Sequence, residues 1–227
     1  MARTPIVTID GPSGSGKGTI SRAVATRAGW HLLDSGALYR LVALAGLKAA
    51  LRSDDVDGHV RLAASMDVRF DVNQRGGELV TLAGEEVTDQ IRSEAAGQGA
   101  SRVAAWAAVR TALLERQRAF ARPPGLVADG RDMGTVVFPE ADLKIFLTAS
   151  PDERAARRYK QLKDKGSDVS LPALSREITE RDLRDSTRAV APLKPAPEAE
   201  VIDSTGLTIE QVIERVMALG SRHTLWV

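Results

Sequence analysis

The residues best suited to chemistry stand near the start of the chain. Gly11-Pro12-Ser13-Gly14-Ser15-Gly16-Lys17 matches G-x-x-x-x-G-K and runs on into Gly18 and Thr19. Backbone N–H groups of such a loop, with the helix N-terminus behind it, can wrap a polyphosphate while the lysine neutralises its outer charge. At this chain's glycine and lysine content the bare pattern arises by chance with a probability of roughly 0.05, so the context has to decide. An apolar run, Ile6-Val7-Thr8-Ile9-Asp10, precedes it and a helical pattern over 19–28 follows, the strand, loop and helix order that phosphate binding needs. Most such loops carry Ser or Thr directly after the lysine to hold magnesium. Here that position is Gly18, and the hydroxyl arrives one residue later, which makes Thr19 the candidate metal ligand and leaves other metal contacts to phosphate and water.

Four further groups have the right types and spacing. Ser35, Tyr39 and Arg40 open a helical pattern directly after the apolar piece 31–33, so Ser35 and that helix start face the C-terminal edge of a sheet. Arg40 is placed to reach a phosphate; an exposed helix charge is the competing explanation. Asp129-Gly130-Arg131-Asp132 leaves the apolar run Leu126-Val127-Ala128 at the same kind of edge. Asp129 can orient magnesium-bound water there, with a helix cap or a structural partner for Arg131 as the plainer alternative. Arg181, Asp185 and Arg188 fall at i, i+4 and i+7, one side of a helix if it continues through Ser186. The ordinary alternative is an exposed ion pair worth about 0.3–0.5 kcal/mol. Arg154, Arg157 and Arg158 share one face of the helix expected after Pro151, where solvation competes with phosphate as their purpose.

These groups need elements to hold them. Strands are expected over 6–10 and 31–33, and helices over 19–28 and 37–51. The rhythm then changes. Val68, Phe70 and Val72 alternate with Arg69 and Asp71, a turn at Asn73-Gln74-Arg75-Gly76-Gly77 follows, and Leu79-Val80-Thr81-Leu82 returns as an antiparallel partner within about 66–91. Residues 101–121 read as one helix, 126–129 and 143–147 as buried strands, 152–165 and 171–184 as helices, 201–203 as a fifth strand and 209–219 as a closing helix. The expectation is a single α/β domain over 1–227: a five-stranded parallel sheet with covering helices and a small antiparallel β insertion.

Composition narrows the classes. Thirty-one basic and 30 acidic residues leave a net charge of +1, and aromatics are 4%, too little charge and stacking surface for a nucleic-acid module. The absence of cysteine removes thiol nucleophiles and thiolate zinc sites, and His31, His59 and His223 are too scattered for a metal cluster. No run approaches the roughly 18–20 apolar residues of a spanning helix, and no signal-peptide core is visible. The expectation is a cytoplasmic monomer with no nucleic-acid or membrane partner. The 24 Arg against 7 Lys fit a GC-rich genome as well as they fit bidentate phosphate recognition; only their placement separates the two.

Asn73 is the only asparagine, so the Asn-Lys-x-Asp guanine-reading segment of regulatory GTPases is missing. Asp129 is followed by Gly130 and Arg131 rather than by the second acid of hydrolytic ATPases. The loop resembles that of nucleoside monophosphate kinases, and nearly the whole chain resembles bacterial cytidylate kinases, through Ile9 to Thr19, Leu32 to Arg40, Ala128 to Pro139, Glu180 to Asp185 and Arg188 to Leu193. The resemblance implies a P-loop nucleoside monophosphate kinase fold with a monophosphate-binding insertion at about 60–95 and a mobile lid at about 152–168. It implies transfer of the γ-phosphoryl of ATP, with Mg2+, to CMP or dCMP. The residues from Gly11 to Thr19 and the lid arginines Arg154, Arg157 and Arg158 would then bind ATP. Lys17, Arg131, Arg188 and Asp129 would serve the transfer. The resemblance sets Arg40 and Arg131 on the acceptor phosphate, Arg181 and Asp185 near the sugar, Ser101, Arg110, Asp132 and Arg188 at the cytosine, and Ser35 and Tyr39 in the same substrate site. An acidic acceptor suits the cytosine amino group and repels the carbonyl of uracil, so UMP is expected to be a poor substrate. A kinase for another small molecule and a non-catalytic nucleotide-binding regulator are the rival readings.

Overall fold

The run Ile6–Asp10 buries every residue after its first, the pattern of a strand covered on both faces. The structure, a computed structural model, describes residues 3–72, 78–164, 166 and 168–226. Its elements in chain order are β1 (Ile6–Asp10), α1 (Lys17–Ala28), β2 (His31–Asp34), α2 (Ser35–Lys48), α3 (Val56–Ser65), β3 (Val68–Val72), β4 (Glu78–Leu82), β5 (Glu85–Glu86), α4 (Thr88–Arg92) and α5 (Glu94–Val103). They continue with α6 (Ala107–Arg118), β6 (Leu126–Gly130), a π-helical turn (Met133–Val137), β7 (Leu143–Thr148), α7 (Pro151–Asp164), α8 (Leu171–Thr187), β8 (Glu200–Asp203) and α9 (Ile209–Arg222).

Two compact units result, one from Met1–Asp34 with Gln117–Val227 and one from Ser35–Arg116. The first holds a five-stranded sheet in the order β2-β6-β1-β7-β8, every pairing parallel, as expected. Registers place Asp10 level with Gly130 and Asp34 level with Asp129, so three carboxylates end at one carboxyl edge of the sheet. Ile20 and Val24 of α1 and Val212, Val216 and Leu219 of α9 pack with Val7, Ile9, Val127, Ile145 and Leu147 into one buried cluster. Burying apolar surface is the main stabilising term here, at roughly 25 cal/mol per Å2.

In the second unit, β3 and β4 pair antiparallel with Val68 opposite Leu82, and β5 extends them into a three-stranded sheet. The turn expected at 73–77 lies outside the described residues.

Local chemistry explains three departures from the sequence reading. The helix expected over 37–51 begins at Ser35 and stops at Lys48, because Ala50 turns left-handed (φ 52°) and Leu51 N–H closes back on Gly46 O at 2.9 Å. A further helix, α3, follows it, capped by Asp55, whose Oδ1 accepts from Gly58 N at 2.8 Å. The single helix expected over 101–121 is divided into α5 and α6. The break lets the Trp106 ring meet buried His59 edge-on at 5.2 Å. Among the described residues no helix is long and apolar enough to cross a membrane.

Candidate active site

Gly16 carries the loop into α1 with φ 89°, a left-handed conformation in which glycine is unstrained. No side chain caps α1, and its first turn holds no acid, so its leading N–H groups and positive dipole end are directed at the loop. Lys17 is the first residue of that helix. Its ammonium donates to Pro12 O at 3.1 Å, which folds it across the loop. Burial first, and then the guanidinium groups of Arg131 and Arg181, push the Lys17 ammonium down to about 7, against the opposing pull of Asp129 and Asp34. A polyphosphate in the loop reverses that balance by supplying negative charge where three cations converge.

Two carboxylates flank the lysine from adjacent strand ends, Asp34 of β2 and Asp129 of β6, which are level in register. A Cβ on Gly18 would stand 3.3 Å from Asp129 Oδ2, so that carboxylate occupies the space beside the helix start where a hydroxyl residue sits in most such loops. Thr19 is exposed in the first turn of α1. The donor set, carboxylate and hydroxyl oxygen beside a phosphate loop, fits a hard cation such as Mg2+.

The arginines separate into two sets. Arg131 donates from Nε to Asp185 Oδ2 at 3.2 Å, and Arg181 approaches the same oxygen at 3.9 Å and reaches Ser13 Oγ at 3.4 Å. Buried Asp185 thus holds two guanidinium groups beside the loop. Arg188 follows at the end of the same helix. α8 ends at Thr187, Arg188 takes φ −60° and ψ 140°, and its Nη2 lies 4.0 Å from Asp132 Oδ1 while Nε donates to Ala191 O at 2.6 Å. The helix thus runs through Ser186, as the i, i+4, i+7 spacing required, and Arg188 is its C-cap residue.

Two of the α7 arginines reach carbonyls of the phosphate loop. Arg154 is 4% exposed, and its nitrogens go to Ala149 O (3.0 Å), Ser13 O (3.0 Å) and Asp182 Oδ2 (2.5 Å), so the guanidinium braces the phosphate loop. Arg157 bonds Glu153, Ser204 and, at 3.3 Å, Ser15 O. Arg158 bonds Gln161 at 2.7 Å.

The second unit carries the other expected residues. Ser35 is buried at the start of α2, and Ser101 is buried on α5. Tyr39 lies under the Arg110 guanidinium, 5.6 Å from ring centroid to carbon, and Arg110 reaches Ala104 O at 3.4 Å. Arg40 holds Ile91 O at 2.7 Å and Ser93 O at 3.1 Å.

Sequence reasoning passed over Asp10, Asp34, Asp182 and Ser204. Asp10 is fully enclosed, accepts from Met133 N and Gly134 N at 2.8 Å each, and is pushed up to about 7, chiefly by burial. Its signal was present: like Asp129, it is an acid at the last position of an apolar strand.

The family model for cytidylate kinase matches residues 7–222. A cytidylate kinase of Aeromonas hydrophila is 58% identical over 219 residues, covering 96% of this chain and 95% of the relative. Cytidylate kinases of Pseudomonas paraeruginosa and Azotobacter vinelandii are 59% and 58% identical over 217 residues, each covering 95% of both chains. With the phosphate loop, the Asp129-to-Asp132 segment and the Asp185 arginine pair all inside the matched span, the chain belongs to the cytidylate kinase family.

Proposed function

We infer that the chain is a (d)CMP kinase, transferring the γ-phosphoryl group of ATP to CMP or dCMP and releasing ADP with CDP or dCDP. The observation that carries this reading is the meeting of Lys17, Arg131 and Arg181 at the uncapped start of α1, beside Asp129. An acceptor phosphate oxygen is already ionised near neutral pH, so no strong base is needed. It bonds to the γ-phosphorus as the bond to the β-bridging oxygen breaks, and what the protein must supply is alignment and positive charge.

Lys17 and the residues Gly11 to Thr19 hold the triphosphate of ATP. Arg131, aimed by Asp185, neutralises charge on the acceptor phosphate, and Arg40 is assigned to the same group. Arg188 and Asp132 take the cytosine with Ser101 and Arg110, Arg181 and Asp185 take the sugar, and Ser35 and Tyr39 complete the acceptor residues. Arg157 and Arg158 address ATP from α7, read as the lid, and Arg154 acts on ATP through the loop carbonyl it grips. Asp129 and Thr19 would hold Mg2+ directly or through water, and the metal would supply positive charge to the phosphates. Substrates of this kind place the chain in cytoplasmic pyrimidine nucleotide metabolism, working as a monomer without nucleic acid; the charge of +1 supports the last point.

Incubation with ATP and each of CMP, dCMP, UMP, AMP and GMP tests the assignment. CDP and dCDP should form readily and UDP poorly. No turnover of CMP rejects the reading, and UMP turnover equal to that of CMP removes Asp132 from the base.

A further inference from the structure

The leading N–H groups of a helical turn need acceptors, and the residue just before the turn ordinarily provides one. For the π-helical turn Met133–Val137 that residue is Asp132, with φ −149° and ψ 25°, yet its carboxylate makes no capping bond. The acceptor comes from another strand. Asp10 Oδ1 takes the Met133 N–H and Oδ2 takes the Gly134 N–H, both at 2.8 Å. Gly134 permits the approach, since a Cβ there would stand 2.9 Å from Thr8 Oγ1 on the same strand as Asp10. The turn in its turn fixes the backbone of Asp132, whose carbonyl accepts from Val136 N at 2.9 Å and Val137 N at 3.2 Å. Asp132, 2% exposed, directs its carboxylate towards Arg188 at 4.0 Å.

The geometry points to Asp10 as a positioning residue for base selection, capping the turn in place of Asp132 and so committing the Asp132 carboxylate, with Arg188, to the acceptor base. This rests on the assignment of Asp132 to the cytosine amino group. The device works because the ionised carboxylate, the form that prevails at pH 8 and above, where the kinetics are read, offers two acceptors to two parallel N–H groups. An asparagine offers one acceptor and one donor, so either orientation sets a donor against a donor. With the cap weakened, Asp132 stands at the position from which a carboxylate ordinarily caps, and its oxygens acquire a competing use at the expense of the base.

Four variants test this: Asp10→Asn, Gly134→Ala, which strains the same bonds without touching a charge, Asp132→Asn, and the double variant Asp10→Asn with Asp132→Asn. The readout is kcat/KM for CMP divided by that for UMP, with KM for ATP reporting an intact phosphate loop. Asp10→Asn and Gly134→Ala should each lower the ratio by about tenfold, the loss of one well-placed polar contact, while KM for ATP moves by less than about threefold. The double variant should show the ratio of Asp132→Asn alone, because Asp10 acts through Asp132; a merely structural role would leave the ratio untouched or make the losses multiply. If Asp132→Asn lowers the ratio while Asp10→Asn and Gly134→Ala leave it at the wild-type value, the capping inference is overturned and the base assignment stands. An unchanged ratio in Asp132→Asn removes the base assignment and the inference with it.

Discussion

Lys17 gives the sharpest physical test, because its low proton affinity has to change when a polyphosphate arrives. In the unliganded protein burial and two guanidinium groups bring the ammonium to about 7. At pH 8 only about 0.1 of the lysine is then protonated, and a triphosphate in the loop restores the ordinary preference for the charged form, so binding should take up about 0.9 proton per ATP. The same linkage weakens ATP binding as pH rises: from pH 7 to pH 9 the dissociation constant should increase by about fiftyfold, in a range where the ATP phosphates are already largely ionised. Titration calorimetry in buffers of different ionisation enthalpy reads the proton count directly, as the slope of apparent enthalpy against buffer enthalpy. Lys17→Met separates the lysine from Asp10, the other group held near 7, and should bring the uptake close to zero. An uptake below about 0.2 proton in the native protein, or one that survives in Lys17→Met, refutes the account of the loop as a place where cations are held short of their charge until phosphate arrives.

Arg154→Met leaves the Asp182 carboxylate and Ser13 O without their buried partner, and should cost about 2–3 kcal/mol in denaturant unfolding while raising KM for ATP. Arg154→Lys should recover charge but not the three-way fork, and so little of either effect. Arg157→Ala, losing its bonds to Ser204 and Ser15 O, should raise KM for ATP or slow turnover at unchanged KM for CMP; wild-type kinetics would take Arg157 out of the ATP site. Asp10 is held above its ordinary carboxylate range, so its protonation favours the folded state. That stability is fully present below pH 4 and is lost as pH rises through about 7. Asp10→Asn should therefore look better against the native protein at pH 8 than at pH 5 by roughly 2.5 kcal/mol, whatever its pH-independent cost; equal differences at the two pH values would contradict the buried, reluctant charge. Gly220→Ala would drive a Cβ to 1.8 Å from the Trp226 ring and should lower the melting temperature by several degrees, read by calorimetry.

The sheet was readable because parallel strands buried on both faces leave short apolar runs that end abruptly, and all five runs became strands of one sheet. What failed were boundaries set by single contacts. Nothing periodic announces that Leu51 N–H will close on Gly46 O, or that Trp106 will leave a helical path to meet His59. The π-helical turn is equally silent in sequence, because its i to i+5 bonds from Val137 N to Asp132 O and from Phe138 N to Met133 O depend on Asp10, more than 120 residues earlier.

The same distinction governs the site. The type and edge position of Lys17, Asp129 and Arg131 followed from loop spacing and strand ends, which are local. The partners did not, because they belong to the register between the end of β6 and the end of α8. Helical periodicity grouped Arg181, Asp185 and Arg188, and what it could not show is that Asp185 also takes Arg131 from the sheet edge and that Arg188, at the helix end, lies 4.0 Å from Asp132. Charge that the composition spread evenly, +1 overall, is thereby sorted: one acid between two arginines beside the loop, another facing a single arginine next to a capped turn. The arginine excess carries no such information by itself. A carboxylate beside a guanidinium fixes its plane, and the pairs formed by buried Asp185, buried Asp132 and half-buried Asp182 each give an arginine one direction in which to point.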